Sequence, residues 1–97
     1  MNTLDVFKRS YASLNAQIKD KNSEYVRVEV QGLEVDQIYL IAGETVEIAG
    51  FDESMNETLL ICPLGHFSAR LSFAPKARQK KQLGFVVEPA GKVEKLM

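Results

Sequence analysis

The stretch from Tyr25 to Val30, YVRVEV, marks the point where the periodicity of the sequence changes from that of a helix to that of a strand. Its three valines alternate with a basic and an acidic residue, which is the pattern of a strand with one buried and one exposed face. Gln31-Gly32 follows directly and is typical of a turn. The stretch therefore divides a helical beginning from a strand-rich remainder.

Five further strand-like runs follow, separated by short turn signals. The clearest of them is Phe67 to Phe73, in which apolar residues alternate with Ser or Arg. Six short runs without helical patterns between them are typical of a small, strongly bent antiparallel sheet or barrel. We therefore predict a mainly β fold with one N-terminal helix. The predicted runs are 25–30, 38–41, 46–48, 58–62, 67–73 and 83–87.

The residues before this region repeat apolar side chains at intervals of three and four, which predicts an amphipathic helix. About two heptads are too few for a coiled coil, so we expect the apolar stripe to dock on the core. The predicted organisation is a single domain over residues 1–97, with the helix in 1–21, a β-barrel in 24–89 and a C-terminal tail in 90–97. The stripe consists of Leu4, Phe7, Tyr11, Leu14 and Ile18.

The chain has 97 residues, a formal net charge of −1, 45% apolar and 26% charged residues, and a single cysteine. These values indicate one folded domain and exclude a polycation, so any nucleic-acid contact has to come from a local basic patch. A single cysteine cannot form an intramolecular disulfide, which favours a reducing, intracellular location. No apolar run reaches the roughly twenty residues of a membrane span, and the N-terminus lacks the pattern of a secretory signal. We expect a soluble intracellular domain without membrane contact.

Few residues offer catalytic or metal-binding chemistry. One His and one Cys cannot supply the four ligands of a structural zinc site, and the six glycines form no phosphate-binding loop. Cys62 and His66 flank a turn and could meet as nucleophile and base, but no obvious group would orient them. A buried thiol beside a turn histidine is the preferred interpretation. We therefore expect no enzymatic activity, no cofactor and no metal.

The segment GFDESMN, residues 50–56, lies between two predicted strands. Its residues alone indicate a turn, in which Asp52 and Asn56 bond local backbone N–H groups. In this interpretation, Phe51 and Met55 attach the loop to the core.

The same segment resembles the core of the first Sm motif, whose usual form is Gly-Phe-Asp-x-Tyr-Met-Asn before a Leu-rich strand. Leu59-Leu60 follow at the matching place, and KKQLG at 80–84 resembles the stretch that enters the second Sm motif. The resemblance to the Sm family covers roughly residues 25–96 by layout. It implies an N-terminal helix on a bent five-stranded, Sm-like (SH3-like) barrel, which agrees with the fold predicted from the periodicity.

The resemblance also implies assembly into a ring. Sm proteins pair the fourth strand of one subunit with the fifth strand of the next, through backbone hydrogen bonds between sheet edges. In this chain the resemblance assigns these roles to Phe67–Phe73 and Leu83–Val87, and the partner is another Sm-like subunit or a second copy. The implied interface residues are Phe67, Ala69, Leu71, Phe73, Phe85 and Val87.

Sm rings bind single-stranded, uridine-rich RNA, so the resemblance implies a nuclear ribonucleoprotein subunit that acts in mRNA processing. Asn56 would offer its amide to the uracil edge, with Asp52 orienting it, Met55 beside it and Gly91 in the second motif. A basic segment, which by itself is typical of a solvated hairpin tip, would contact phosphates at the periphery. Its cations are Lys76, Arg78, Lys80 and Lys81.

The chain departs from the Sm pattern at several points, and two of the departing residues concern RNA binding. Ser54 stands where the family has the aromatic residue on which the base stacks, and Ala90 stands where Arg or Lys usually precedes the glycine. Stacking contributes about 1–3 kcal/mol per base, so we expect RNA binding to be weak. The alternative function is a cytoplasmic protein–protein interaction module or adaptor without RNA binding. Its contact surface would be the helix stripe or the Phe67–Phe73 strand.

Overall fold

The computed structural model describes residues 2–78 and 93–97, which form one helix and an antiparallel sheet. The helix α1 spans Thr3–Gln17. The strands are β1 (Glu24–Val30), β2 (Leu33–Ile41), β3 (Thr45–Phe51), β4 (Glu57–Pro63), β5 (Arg70–Pro75) and β6 (Val93–Lys95). Short 3₁₀ turns lie at Leu64–His66, between β4 and β5, and at Lys76–Arg78, after β5.

The strands form one six-stranded antiparallel sheet in the order β4-β3-β2-β1-β5, with β6 paired to β2. The prediction of a mainly β fold with one N-terminal helix and a bent antiparallel sheet is confirmed. Within residues 2–78 and 93–97, β4 pairs only with β3 and β5 only with β1, so the sheet is not closed. No helix in this part of the chain is long and apolar enough to cross a membrane.

The sheet changes direction where β1 and β2 diverge. These strands pair at only two positions, and the register between β2 and β3 then shifts between Val35 and Gln37. Gly50 of β3 lies opposite this bulge, and a Cβ atom there would overlap the carbonyl oxygen of Glu34. A residue without a side chain is therefore required for the close approach of the two backbones. The bulge also breaks the alternation of residues 33–37, which the periodicity did not identify as a strand.

Strand β6 takes the place of β1 along the second half of β2. Residues 93–95 pair with residues 39–41. The backbone N–H of Leu96 donates to the carbonyl oxygen of Ile38 at 2.8 Å, and the Leu96 side chain is buried in the core. The predicted tail, 90–97, therefore contains a short strand that completes the edge of β2.

The N-terminal helix docks on the sheet through its apolar stripe, as expected. Asn2 and Asp5 form a capping box, in which each side chain accepts a hydrogen bond from the other residue's backbone N–H. Leu4 and Phe7 are buried, and the Phe7 ring packs edge-on against the ring of Phe67 with centroids 5.7 Å apart. The helix ends at Gln17, before the predicted boundary at residue 21, because the backbone of the next residue is extended.

The hydrophobic core lies between α1 and one face of the sheet. Alternate residues of β1 and β3 supply its centre, where Val28, Val30, Val46 and Ile48 are almost completely buried. The alternation of YVRVEV therefore identified the inward face of β1 correctly.

Candidate assembly edges and candidate RNA-binding loop

Strand β4 forms one edge of the sheet and carries apolar side chains on both faces. Cys62 pairs with Val46 of β3 and faces the core. The alternate residues Leu59 and Ile61 face outward and are 43% and 59% exposed. Edge strands usually carry charges that discourage pairing with other chains, so two exposed apolar residues at this edge indicate a contact surface.

Strand β5 forms the other edge. Phe73 and Leu71 pair with Val26 and Val28 of β1, and these valines are buried in the core. Phe73 is nevertheless 47% exposed, because within the described residues β5 pairs with β1 on one side and with no strand on the other. Phe73 pairs with the buried Val26 and lies at the border of the core.

The strand numbers implied by the Sm resemblance are shifted by one. The fourth strand of the sheet is Glu57–Pro63, whereas the Phe67–Phe73 stretch leads into the fifth strand, which pairs with β1 of the same chain. Residues Leu83–Val87, including the predicted interface residues Phe85 and Val87, lie outside the described residues. The run 58–62 was predicted as a strand, but the exposure of Leu59 and Ile61 at the edge of the sheet was not predicted.

The other two predicted interface residues precede β5. Phe67 ends the 3₁₀ turn after β4 and is buried against the helix, so it supports the core and is not available to a partner. Ala69 lies just before β5 and is half-buried. Of the interface residues predicted within the described chain, Leu71 and Phe73 therefore lie on an open edge.

The loop between β3 and β4 is organised by Asp52. Its carboxylate accepts hydrogen bonds from the backbone N–H groups of Ser54 at 2.9 Å and Asn56 at 2.8 Å, and from the Asn56 amide at 3.1 Å. The bonds from Asn56, followed by the one from Ser54, hold the pKa of the Asp52 carboxyl below its usual value. The turn predicted from the sequence is thus present, and the expected contact between Asp52 and the Asn56 side chain is made.

Met55 and Asn56 are among the exposed residues of this loop. Met55 adopts a positive φ of 68° and is exposed, so its predicted attachment to the core is wrong, whereas Phe51 is buried as expected. The Asn56 amide is held by Asp52 through one N–H. Its second N–H and its carbonyl oxygen have the donor and acceptor character that the edge of an unpaired uracil requires.

The predicted phosphate-binding cations are not brought together with this loop. Lys76 follows β5, its backbone N–H donates to the Ser23 carbonyl at 2.8 Å, and its ammonium lies 5.9 Å from the centre of the Tyr25 ring. No hydrogen bond or ion pair among the described residues joins Lys76 to Asn56. The Arg78 side chain and residues Lys80, Lys81 and Gly91 lie outside the description, so their predicted RNA contacts stay predictions.

Cys62 and His66 do not have the environment of a catalytic pair. Burial raises the pKa of the Cys62 thiol, which opposes formation of the thiolate nucleophile. The His66 side chain is exposed on the 3₁₀ turn. Among residues 2–78 and 93–97, no group of three His, Cys, Asp or Glu side chains is placed to hold a metal ion.

Comparison of the chain with protein-family models, with curated proteins and with solved structures gave no match. The relationship to the Sm family therefore stays a prediction.

Proposed function

We propose that the protein is a subunit of an Sm-like ribonucleoprotein ring, in which β4 of one subunit pairs with β5 of the next. The observation that supports this proposal is that, among residues 2–78 and 93–97, the sheet is open and both of its edges expose large apolar side chains. Because unpaired edges with exposed apolar residues favour addition of another strand, each edge is a template for a neighbouring chain.

The two edges are complementary in the direction of their side chains. An antiparallel β4–β5 pair between subunits would continue both faces of the sheet, since side chains alternate with a period of two. Leu60 of β4 and Leu71 of β5 are half-buried and pack against the core, and Phe73 of β5 pairs with the buried Val26. Joining the edges would place these side chains in one continuous apolar layer, and covering the exposed part of Phe73 contributes on the order of 1 kcal/mol.

The proposed contact is head-to-tail, because it joins two different edges. Such an interface forms a closed ring when the rotation between subunits closes, and an open filament when it does not. Each subunit would use both edges, so the smallest closed assembly contains several copies or several related chains.

The mass of the assembly tests this proposal. In static light scattering, we expect the wild-type chain, alone or with related subunits, to give several multiples of 10.9 kDa. Replacement of Leu59 and Ile61 by Lys places charges on the β4 edge and is expected to abolish assembly. The matched control is Val6→Lys, because Val6 is an exposed apolar residue on the helix and away from both edges.

Two results would contradict the proposal. One is a wild-type protein that stays monomeric at high concentration and with candidate partners. The other is an equal loss of assembly in the Val6→Lys control, which would place the contact on the helix and favour the alternative of a protein–protein interaction module.

Weak uridine binding by the β3–β4 loop is the second part of the proposed function. Its support is the Asn56 side chain, which is exposed and fixed by the Asp52 carboxylate. In fluorescence anisotropy with labelled oligouridine, Asn56→Ala should weaken binding, whereas the control Asn22→Ala should not. Ser54→Tyr should strengthen binding, because it supplies a ring for stacking that is worth about 1–3 kcal/mol per base. Binding that none of these changes alters would place the RNA elsewhere.

A further inference from the structure

A cavity of about 420 Å³ opens where β1 and β2 separate, beneath the C-terminal half of α1. Its walls come from the helix, from the first residues of β1, from the bulge of β2 and from the end of β3. The two strands share only two paired positions, so the gap between them is built into the topology of the sheet. Cavities of this size hold small organic ligands.

Three aromatic side chains from different elements line this cavity. Tyr11 belongs to α1, Tyr25 to β1 and Phe51 to β3. The Tyr25 hydroxyl donates to the Glu34 carboxylate at 3.3 Å, and this bond fixes the position of the ring at the cavity wall. Aromatic rings fixed at a wall provide surfaces on which a planar ligand can stack.

The charged groups of the cavity are balanced. Glu34 is buried, and its carboxylate forms an ion pair with Arg27 Nε at 3.1 Å that is not aligned as a hydrogen bond. Two ammonium groups and two further carboxylates remain at the cavity. They belong to Lys21, Lys76, Glu24 and Asp36. A ligand that offers an anionic group to the lysines and hydrogen-bond donors to the carboxylates fits this lining better than a simple anion or a simple cation.

We propose that the cavity binds a single nucleotide, either free or as the 5′-terminal residue of an RNA strand. The base would stack on the aromatic wall, and its N–H donors would face the carboxylate of Asp36 and the amide of Asn15. The phosphate would lie near Lys76, whose ammonium is already held over the Tyr25 ring at 5.9 Å. This site is separate from the Asn56 loop and does not depend on pairing of the sheet edges.

Calorimetric titration of the full chain tests the proposal with defined probes. Uridine and guanosine 5′-monophosphates, the corresponding nucleosides and inorganic phosphate are titrated in parallel. We expect at least one monophosphate to bind more tightly than its nucleoside and than phosphate alone. Comparing 5′-phosphorylated with unphosphorylated oligouridine then distinguishes a free nucleotide from the end of an RNA strand.

Two variants locate the site. Lys76→Gln should weaken nucleotide binding by at least about tenfold and leave nucleoside binding unchanged, because it removes one charge-assisted contact. Tyr25→Leu should weaken binding of both, because it removes a stacking surface. The control is Lys95→Gln, which removes an exposed lysine of β6 outside the cavity.

Three outcomes would overturn the proposal. The first is no heat of binding for any nucleotide at millimolar concentration. The second is binding of inorganic phosphate as tight as that of the nucleotides, which would indicate only a nonspecific anion contact. The third is an equal loss of affinity in Lys95→Gln. None of these depends on the oligomeric state, so a failed ring and a failed nucleotide site are distinguishable.

Discussion

Strands β3 and β4 have the same length and pair with each other along all seven residues, yet they differ completely in burial. Val46 and Ile48 of β3 are 0% exposed, whereas Ile61 of β4 is 59% exposed. Pairing with a neighbour therefore does not decide burial, which depends on what covers each face and each edge of the strand. The inner strand β3 buries its apolar residues in the core, whereas the edge strand β4 exposes Leu59 and Ile61.

Two isoleucines on these adjacent strands give the largest expected contrast. Ile48→Ala should lower the free energy of unfolding by about 2–5 kcal/mol, because it leaves a cavity in the core. Ile61→Ala should change it by less than about 0.5 kcal/mol in the monomer. Urea denaturation followed by circular dichroism, at a concentration that prevents assembly, measures both. Similar losses for the two variants would contradict the assignment of β4 as an exposed edge.

Substitutions at two glycines, Gly50 in β3 and Gly65 after β4, test how closely β2 and β3 approach each other. Gly50→Ala should cost about 1–3 kcal/mol or more, because its Cβ would overlap the Glu34 backbone at the bulge. Gly65→Ala is the matched control, since Gly65 lies in the 3₁₀ turn after β4 with no neighbouring atom within 4 Å of an added Cβ. Thermal unfolding of both variants measures the difference in stability between them. A harmless Gly50→Ala substitution would mean that β2 and β3 do not approach each other in this way.

A substitution in the loop between β3 and β4 should have a smaller effect on the free energy of unfolding, and it should increase the stability. Met55 has a φ of 68°, a conformation that costs a non-glycine residue about 1–2 kcal/mol. Met55→Gly should therefore stabilise the protein by about 1 kcal/mol in chemical denaturation. Ser54→Gly serves as control, because it loosens the same loop without relieving a positive φ, and should destabilise slightly. Loss of stability in Met55→Gly would show that the Met55 side chain makes contacts that outweigh the strain.

The smallest expected effect is the pH dependence of the same loop. Because hydrogen bonds lower the pKa of Asp52 in the folded state, the ionised carboxylate stabilises the fold at pH values above the usual carboxyl value of 3.8. This contribution is lost as the pH falls through the lower, folded-state pKa. In the Asp52→Asn variant, the free energy of unfolding should depend less on pH between about pH 6 and pH 2, the range in which carboxyl groups titrate. Identical pH profiles for the variant and the wild type would contradict the role of Asp52.

Local patterns in the sequence predicted the N-terminal helix, strand β1 and the loop between β3 and β4. The spacing of Leu4 and Phe7 identified the helix, and the alternation of YVRVEV identified β1. The chemistry of Asp52 and Asn56 predicted their loop. These features depend on residues close together in the chain, so the periodicity and the turn residues suffice.

The sequence did not predict features that depend on distant partners. The first half of β2 was missed because the register shift opposite Gly50 breaks its alternation. The alternation of residues 67–73 did not show that Phe73 is exposed, although the Sm resemblance assigned this stretch to a sheet edge. The pairing of residues 93–95 with β2 was not predicted either, because a three-residue strand has too short a pattern and its partner lies far away in the chain.

The mass of a mixture of two variants tests whether β4 and β5 are complementary edges. A chain with Leu59→Lys and Ile61→Lys retains a usable β5, and a chain with Phe73→Lys retains a usable β4. In light scattering, we predict that each variant alone is a monomer and that the mixture forms a complex of one copy of each. Assembly of the Phe73→Lys chain by itself, or a mixture that stays monomeric, would contradict the account.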